Sequence, residues 1–94
     1  MTAYMIVQST ISNEEQFGKY RRAVLPLIER FGGKHLRGGA VELLEGQQDD
    51  RRIALFEFPS MEAIHEFWNA PDYIPVRELR RGVAVLEIWA IPGV

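Results

Sequence analysis

Residues 83–91 read Val-Ala-Val-Leu-Glu-Ile-Trp-Ala-Ile, and this stretch decides the fold. A β-strand sends successive side chains to opposite faces, so a strand with one face on a core and the other in water alternates apolar with polar. These residues do not alternate. Leu86 and Ile88 take one parity, and Val83, Val85 and Trp89 take the other beside Glu87. Residues 3–11 (Ala-Tyr-Met-Ile-Val-Gln-Ser-Thr-Ile) and 51–58 (Arg-Arg-Ile-Ala-Leu-Phe-Glu-Phe) repeat the pattern and are rich in β-branched and aromatic types. Met5, Val7, Phe56, Phe58, Leu86 and Ile88 make one wholly apolar face, assigned to the helix side. The opposite parity holds Ile6, Ile53, Leu55, Val83, Val85 and Trp89 with Tyr4, Gln8, Glu57 and Glu87. Leaving those large apolar side chains in water would forfeit on the order of 10 kcal/mol, comparable with the stability of a whole domain. Something covers that face, and the simplest cover is a second copy of the sheet packed across a two-fold axis.

Helices fill the intervals. Ser12 with Glu15 forms a capping box, and Phe17, Tyr20, Val24, Leu27, Ile28 and Phe31 recur at helical spacing up to Gly32-Gly33. Pro26 lies inside this helix and predicts a bend near Leu25, which either wraps the helix on a twisted sheet or opens room for a pocket. Residues 34–45, interrupted by Gly38-Gly39, and 51–58 read as a β-hairpin joined through Gly46-Gln47-Gln48-Asp49-Asp50. Ser60 caps a second helix with Ile64, Phe67 and Trp68 as buried candidates, and a shorter helix spans 71–81 before Gly82. The order βαββαβ predicts an α+β fold, a ferredoxin-like plait with a four-stranded antiparallel sheet in the order 4-1-3-2.

The chain has 94 residues, 47% hydrophobic and 26% charged, so one domain over 1–94 is expected. A core this small calls for a supplement. Cys is absent, which removes disulfides, thiolate metal sites and thiol nucleophiles, and His35 and His65 lack the spacing of a helical metal pair. No cofactor motif is present, neither GxGxxG nor GxxxxGK[ST], and no GxSxG or HExxH. Oligomerisation is left, in agreement with strand parity. A net charge of −2 argues against a nucleic-acid partner. The N-terminal residues lack the basic start and small-residue cleavage site of a signal peptide, and no stretch is long enough to span a bilayer, so a cytoplasmic protein is expected. Most of the nine Arg fall on helices, where solvated faces paired with Glu are the ordinary outcome.

A set of residues in this order resembles a known family. Tyr4 with Ile6-Val7, Tyr20 with Ala23 and Pro26-Leu27-Ile28, Phe31-Gly32-Gly33, Arg37-Gly38-Gly39, Glu42 with Leu44-Glu45-Gly46, Glu57-Phe58-Pro59-Ser60, Ala63, Pro71-Asp72-Tyr73 and Leu79-Arg80 are together similar to the domain of unknown function 1330 family. The resemblance covers nearly the whole chain. It implies a ferredoxin-like protomer of the dimeric α+β barrel superfamily, whose sheets pair in a homodimer. Relatives in that superfamily include cofactor-independent monooxygenases, muconolactone isomerase-like enzymes, haem-dependent chlorite dismutases and ligand-sensing domains, so the fold does not choose a function.

Chemistry falls to His, Glu, Tyr and Arg. His35 and Arg37 lie two apart and project side by side, provided the glycine pair introduces no bulge, so that an imidazole moves a proton while a guanidinium holds an anion. Glu57 is embedded in an apolar strand as a second candidate base; Glu87 lies two strand spacings away, about 10 Å, too far to share its proton. Each has an ordinary alternative: a surface His on an edge strand, and carboxylates paired with Arg. Tyr20, Trp68 and Tyr73 are candidates to line a substrate pocket, or simply to pack. Three readings follow. The first is a small homodimeric cofactor-independent enzyme, isomerase-like or monooxygenase-like, on a carbonyl-bearing or aromatic molecule, with His35, Arg37 and Glu57 as its catalytic set. The second is a module that binds or senses a small metabolite without turnover, and the third a purely structural dimer.

Overall fold

The computed structural model describes residues 2–93. Positions 1 and 94 of the expected domain lie outside the described residues. Strand β1 (Ala3–Ile11) leads into helix α1 (Glu14–Arg30), followed by β2 (Lys34–Ala40), β3 (Arg52–Phe58), α2 (Met61–Trp68), the short α3 (Tyr73–Glu78) and β4 (Ala84–Pro92). The four strands form one antiparallel sheet in the order β2-β3-β1-β4, as strand patterning predicts.

Register fixes which residues share a face. Met5 pairs with Phe56 and Ala90, and Val7 with Ala54 and Ile88. This face meets the helices: Met5, Phe56 and Phe58 are buried with Phe17, Tyr20, Val24, Leu27 and Ile28 of α1 and with Ile64 and Phe67 of α2. On the opposite face Ile6 pairs with both Leu55 and Trp89, so an apolar row crosses three strands. No helix covers it. Val85, Trp89 and Ile91 are 72%, 59% and 51% exposed. The two-sided strands of the sequence are therefore a two-sided sheet with one side bare.

Local chemistry explains the helix limits. α1 starts one residue later than the capping box suggests: Asn13 is the N-cap, its Oδ1 accepting from the Gln16 N–H at 3.1 Å. Ser12 instead donates its hydroxyl to the Val83 carbonyl at 3.0 Å, tying the start of α1 to the chain before β4. Two polar residues were eligible, and the tertiary acceptor took the first. The helix runs through Pro26, which is exposed, and stops where Gly32 adopts φ +88°. Ser60 caps α2 as expected, accepting from the Ala63 N–H at 3.1 Å. β2 ends at Ala40 rather than 45, leaving an irregular connection over 41–51, because Val41, Leu43 and Leu44 find no partner strand. The helix expected over 71–81 is confined to Tyr73–Glu78, with turns on either side.

Candidate functional site

A cavity of about 320 Å³ lies between α1 and the helix-side face of the sheet. This is the lower end of the range of small-molecule sites, roughly 300–1,000 Å³. Its inner wall is the buried set Met5, Phe17, Val24, Ile28, Phe56 and Phe67, with Tyr20 and Tyr73. Exposed lining residues, Arg21, His35, Gly38, Gly39 and Arg52, mark the side on which it opens, beside the edge strand β2. Strand parity brings them there: Arg52, Ala54 and Phe56 share the helix-side face of β3, and His35 pairs with Phe56 across the ladder.

His35 is held by two contacts. Its ring stacks on Phe56 with centroids 4.9 Å apart, and its Nε2 lies 3.0 Å from the Arg37 carbonyl oxygen. A carbonyl only accepts, so Nε2 carries a proton, and the lone pair of a neutral ring then falls on Nδ1. Gly38 makes this fold-back feasible, since a Cβ there would sit 2.9 Å from Nε2.

The register corrects the expected pairing of His35 with Arg37. A bulge between them makes Leu36 the extra residue: His35 pairs with Phe56, but Arg37 pairs with Leu55. One inserted residue inverts the alternation, so Arg37 lies on the bare face while His35 lines the cavity. Glu57 is also on the bare face, opposite Tyr4 and Lys34. Glu87 pairs with Gln8, four positions along β1 from the Glu57 partner, so the two acids are farther apart than strand spacing alone implies. Of the expected trio only His35 meets the cavity. Tyr20 and Tyr73 line it, whereas Trp68 packs behind Tyr73 at 5.4 Å under the Arg77 guanidinium.

Tyr20 and Tyr73, from α1 and α3, meet hydroxyl to hydroxyl at 2.8 Å in the buried interior. Burial, reinforced by Tyr73, pushes the Tyr20 phenol far above its ordinary pKa, so it stays neutral. Arg80 lies with its guanidinium 5.5 Å from the Tyr20 ring, and its Nε is buried without a hydrogen-bond partner. Burial works against its charge, but the two phenol oxygens more than offset this and raise its pKa. One mutual hydrogen bond uses one of the two phenolic protons, and a guanidinium has donors only. The second phenolic proton is therefore not used by the mutual bond. Sequence reasoning missed Arg80, because nothing in an Arg-Arg pair at a helix end distinguishes the half-buried member. Arg52 was missed as well, although it shares the parity of Phe56 and Phe58. Among the described residues no three His, Asp or Glu side chains gather into a metal site, and no helix is long and apolar enough to cross a membrane.

The Tyr pair gives a measurable prediction. Tyr73→Phe leaves the buried Tyr20 hydroxyl without its partner and is expected to cost about 1–3 kcal/mol in urea denaturation. Tyr20 also sets an alkaline limit. Its folded pKa is raised, so above pH of about 10 the unfolded chain loses a proton that the folded chain keeps, and stability falls as pH rises. Phenolate absorbance of Tyr20 should appear only together with loss of the circular dichroism signal.

A four-stranded antiparallel sheet in this order, helices on one face and a ligand-sized cavity beneath α1, defines a ferredoxin-like α+β protein. The domain of unknown function family DUF1330 matches residues 2–94, and the chain belongs to that family. Solved structures agree on the fold. The RPA0582 protein of unknown function from Rhodopseudomonas palustris superposes with TM-score 0.80 at 23% identity, over 99% of this chain and 82% of that one. SnoaB, a cofactor-independent oxygenase from Streptomyces nogalater, is similar with TM-score 0.73 at 13% identity, over 99% and 93% of the two chains. A dimeric protein of unknown function and ferredoxin-like fold from Bacteroides fragilis gives TM-score 0.67 at 11% identity, over 98% and 96%. No curated protein matches the sequence significantly.

Proposed function

We propose that this protein is a small homodimeric enzyme that moves a proton on a modest, largely apolar carbonyl compound held in the cavity beneath α1. The observation that carries this reading is an imidazole on the wall of an apolar cavity, with Nε2 tied to a backbone carbonyl and Nδ1 left as the basic nitrogen. The C–H bond beside the carbonyl breaks, its proton passes to His35 Nδ1, and its electron pair becomes an enolate. The spare phenolic proton of the Tyr20–Tyr73 pair, with Arg80 behind it, stabilises the enolate oxygen. Return of the proton to another atom completes an isomerisation. An enolate is also the electron-rich species that a cofactor-independent oxygenation requires, and the fold-level similarity to SnoaB supports keeping that outcome within the proposal.

Homodimerisation through the bare sheet face belongs to the same proposal. What supports it is the apolar row Leu55–Ile6–Trp89, flanked by exposed Val85 and Ile91, together with the dimeric state stated for the structurally similar Bacteroides fragilis protein.

The test is solvent exchange. Small aryl ketones and 1,3-dicarbonyl compounds are incubated in D2O with and without the protein, and loss of the C–H signal next to the carbonyl is followed by proton NMR. The proposal expects exchange above the buffer rate for at least one of them. Saturable binding with no exchange for any compound points instead to a non-catalytic binding module.

A further inference from the structure

We propose that the ligand of this cavity is an organic anion, an apolar carboxylate whose charged group sits at the mouth between Arg21 and Arg52. This rests on the reading of the cavity as a ligand site and adds the charge class of what enters it. The ionisable residues lining the cavity are Tyr20, Arg21, His35, Arg52 and Tyr73. None is an acid, although the chain as a whole carries net charge −2. Two of its Arg are thus gathered, with an imidazole, at the open end of an otherwise apolar space.

The two guanidiniums differ in what holds them. Arg21 makes no ion pair among the described residues; its guanidinium lies 5.1 Å from the centre of the Phe17 ring, a cavity-lining residue, so its side chain lies along the rim. Arg52 pairs with Glu14 at 3.1 Å, and both side chains are about half exposed. An ion pair that open to water is weak and screened, so a ligand carboxylate can exchange for Glu14. Guanidinium groups suit this role because their forked donors match two carboxylate oxygens. Below the mouth the ligand meets the aromatic and aliphatic walls, which require an apolar body. An ordinary solvated-face role would place Arg21 and Arg52 opposite carboxylates of similar number; at this rim one Glu faces two Arg.

The experiment compares 2-naphthoate with its neutral isostere 2-naphthamide, binding measured by isothermal calorimetry and located by NMR shift changes. The carboxylate should bind about tenfold more tightly than the amide, and the preference should shrink in high salt. Arg21→Gln with Arg52→Gln should reduce the preference to about twofold; Glu14→Gln, which releases Arg52, should raise it. These are exposed positions, and unchanged circular dichroism melts certify the fold of each variant. Equal binding of acid and amide, or a preference that survives loss of both Arg, overturns the anion proposal and leaves the cavity reading standing. If neither probe perturbs the cavity residues, both are overturned.

Discussion

Leu55→Glu is expected to turn the proposed sheet-face dimer into a monomer. Leu55 sits on a central strand at one end of the apolar row, directly across from Ile6, and the row continues to Trp89. In a face-to-face dimer a carboxylate at that point is desolvated with no partner, which costs several kcal/mol. Dissociation should therefore become easier by more than about 10²-fold, enough to give monomers at micromolar concentration in analytical ultracentrifugation. The helix-side core does not include Leu55, so the monomer should keep native secondary structure. A glutamate on the opposite parity, at Phe56, would instead unfold the chain, because Phe56 is only 5% exposed. A wild-type protein that sediments as a monomer would remove the dimer from the proposal.

His35→Gln should lower protein-dependent hydrogen exchange about 10²- to 10⁴-fold, the usual share of a positioned general base. Glutamine retains a polar, similarly sized side chain but has no basic nitrogen, so the loss reports basicity rather than volume. Gly38→Ala gives an independent check with the imidazole still present. The added methyl would come within 2.9 Å of Nε2 and 3.3 Å of Cε1, so the ring must leave the Arg37 carbonyl and its place on Phe56. A displacement of that kind costs up to about 10²-fold. Gln47→Ala, in the exposed connection away from the cavity lining, should change nothing. Exchange that is indifferent to His35→Gln would remove this residue as the base.

The fold was legible because it is written in parity and caps. The apolar sets on both faces of residues 3–11, 51–58 and 83–91 translate directly into a buried and a bare side, and the strand order follows from the alternation of elements. The site was legible only in part. His35 and the two Tyr were found as residue types, but the separation of Arg37 from His35 depended on a bulge at Leu36, which sequence marks only through the nearby Gly38-Gly39. One residue too many in a strand exchanges faces for everything after it, which put Arg37 on the side away from the cavity, whereas Glu57 lies on that side by its own parity in β3. Arg80 was not legible at all. Its burial arises from α3 closing on Tyr20 through Tyr73, a tertiary contact with no local signature.

The proposed working site is the cavity under α1 and not the bare sheet face. Intermolecular nuclear Overhauser effects from a bound aryl ketone, such as 2-acetylnaphthalene, test it most directly. Contacts are expected to the Val24 and Ile28 methyls and the Phe56 ring, with the ring protons of His35 close to the carbonyl end of the ligand. Contacts to Ile6, Leu55 and Trp89 instead would contradict it, placing the ligand on the opposite side of the sheet.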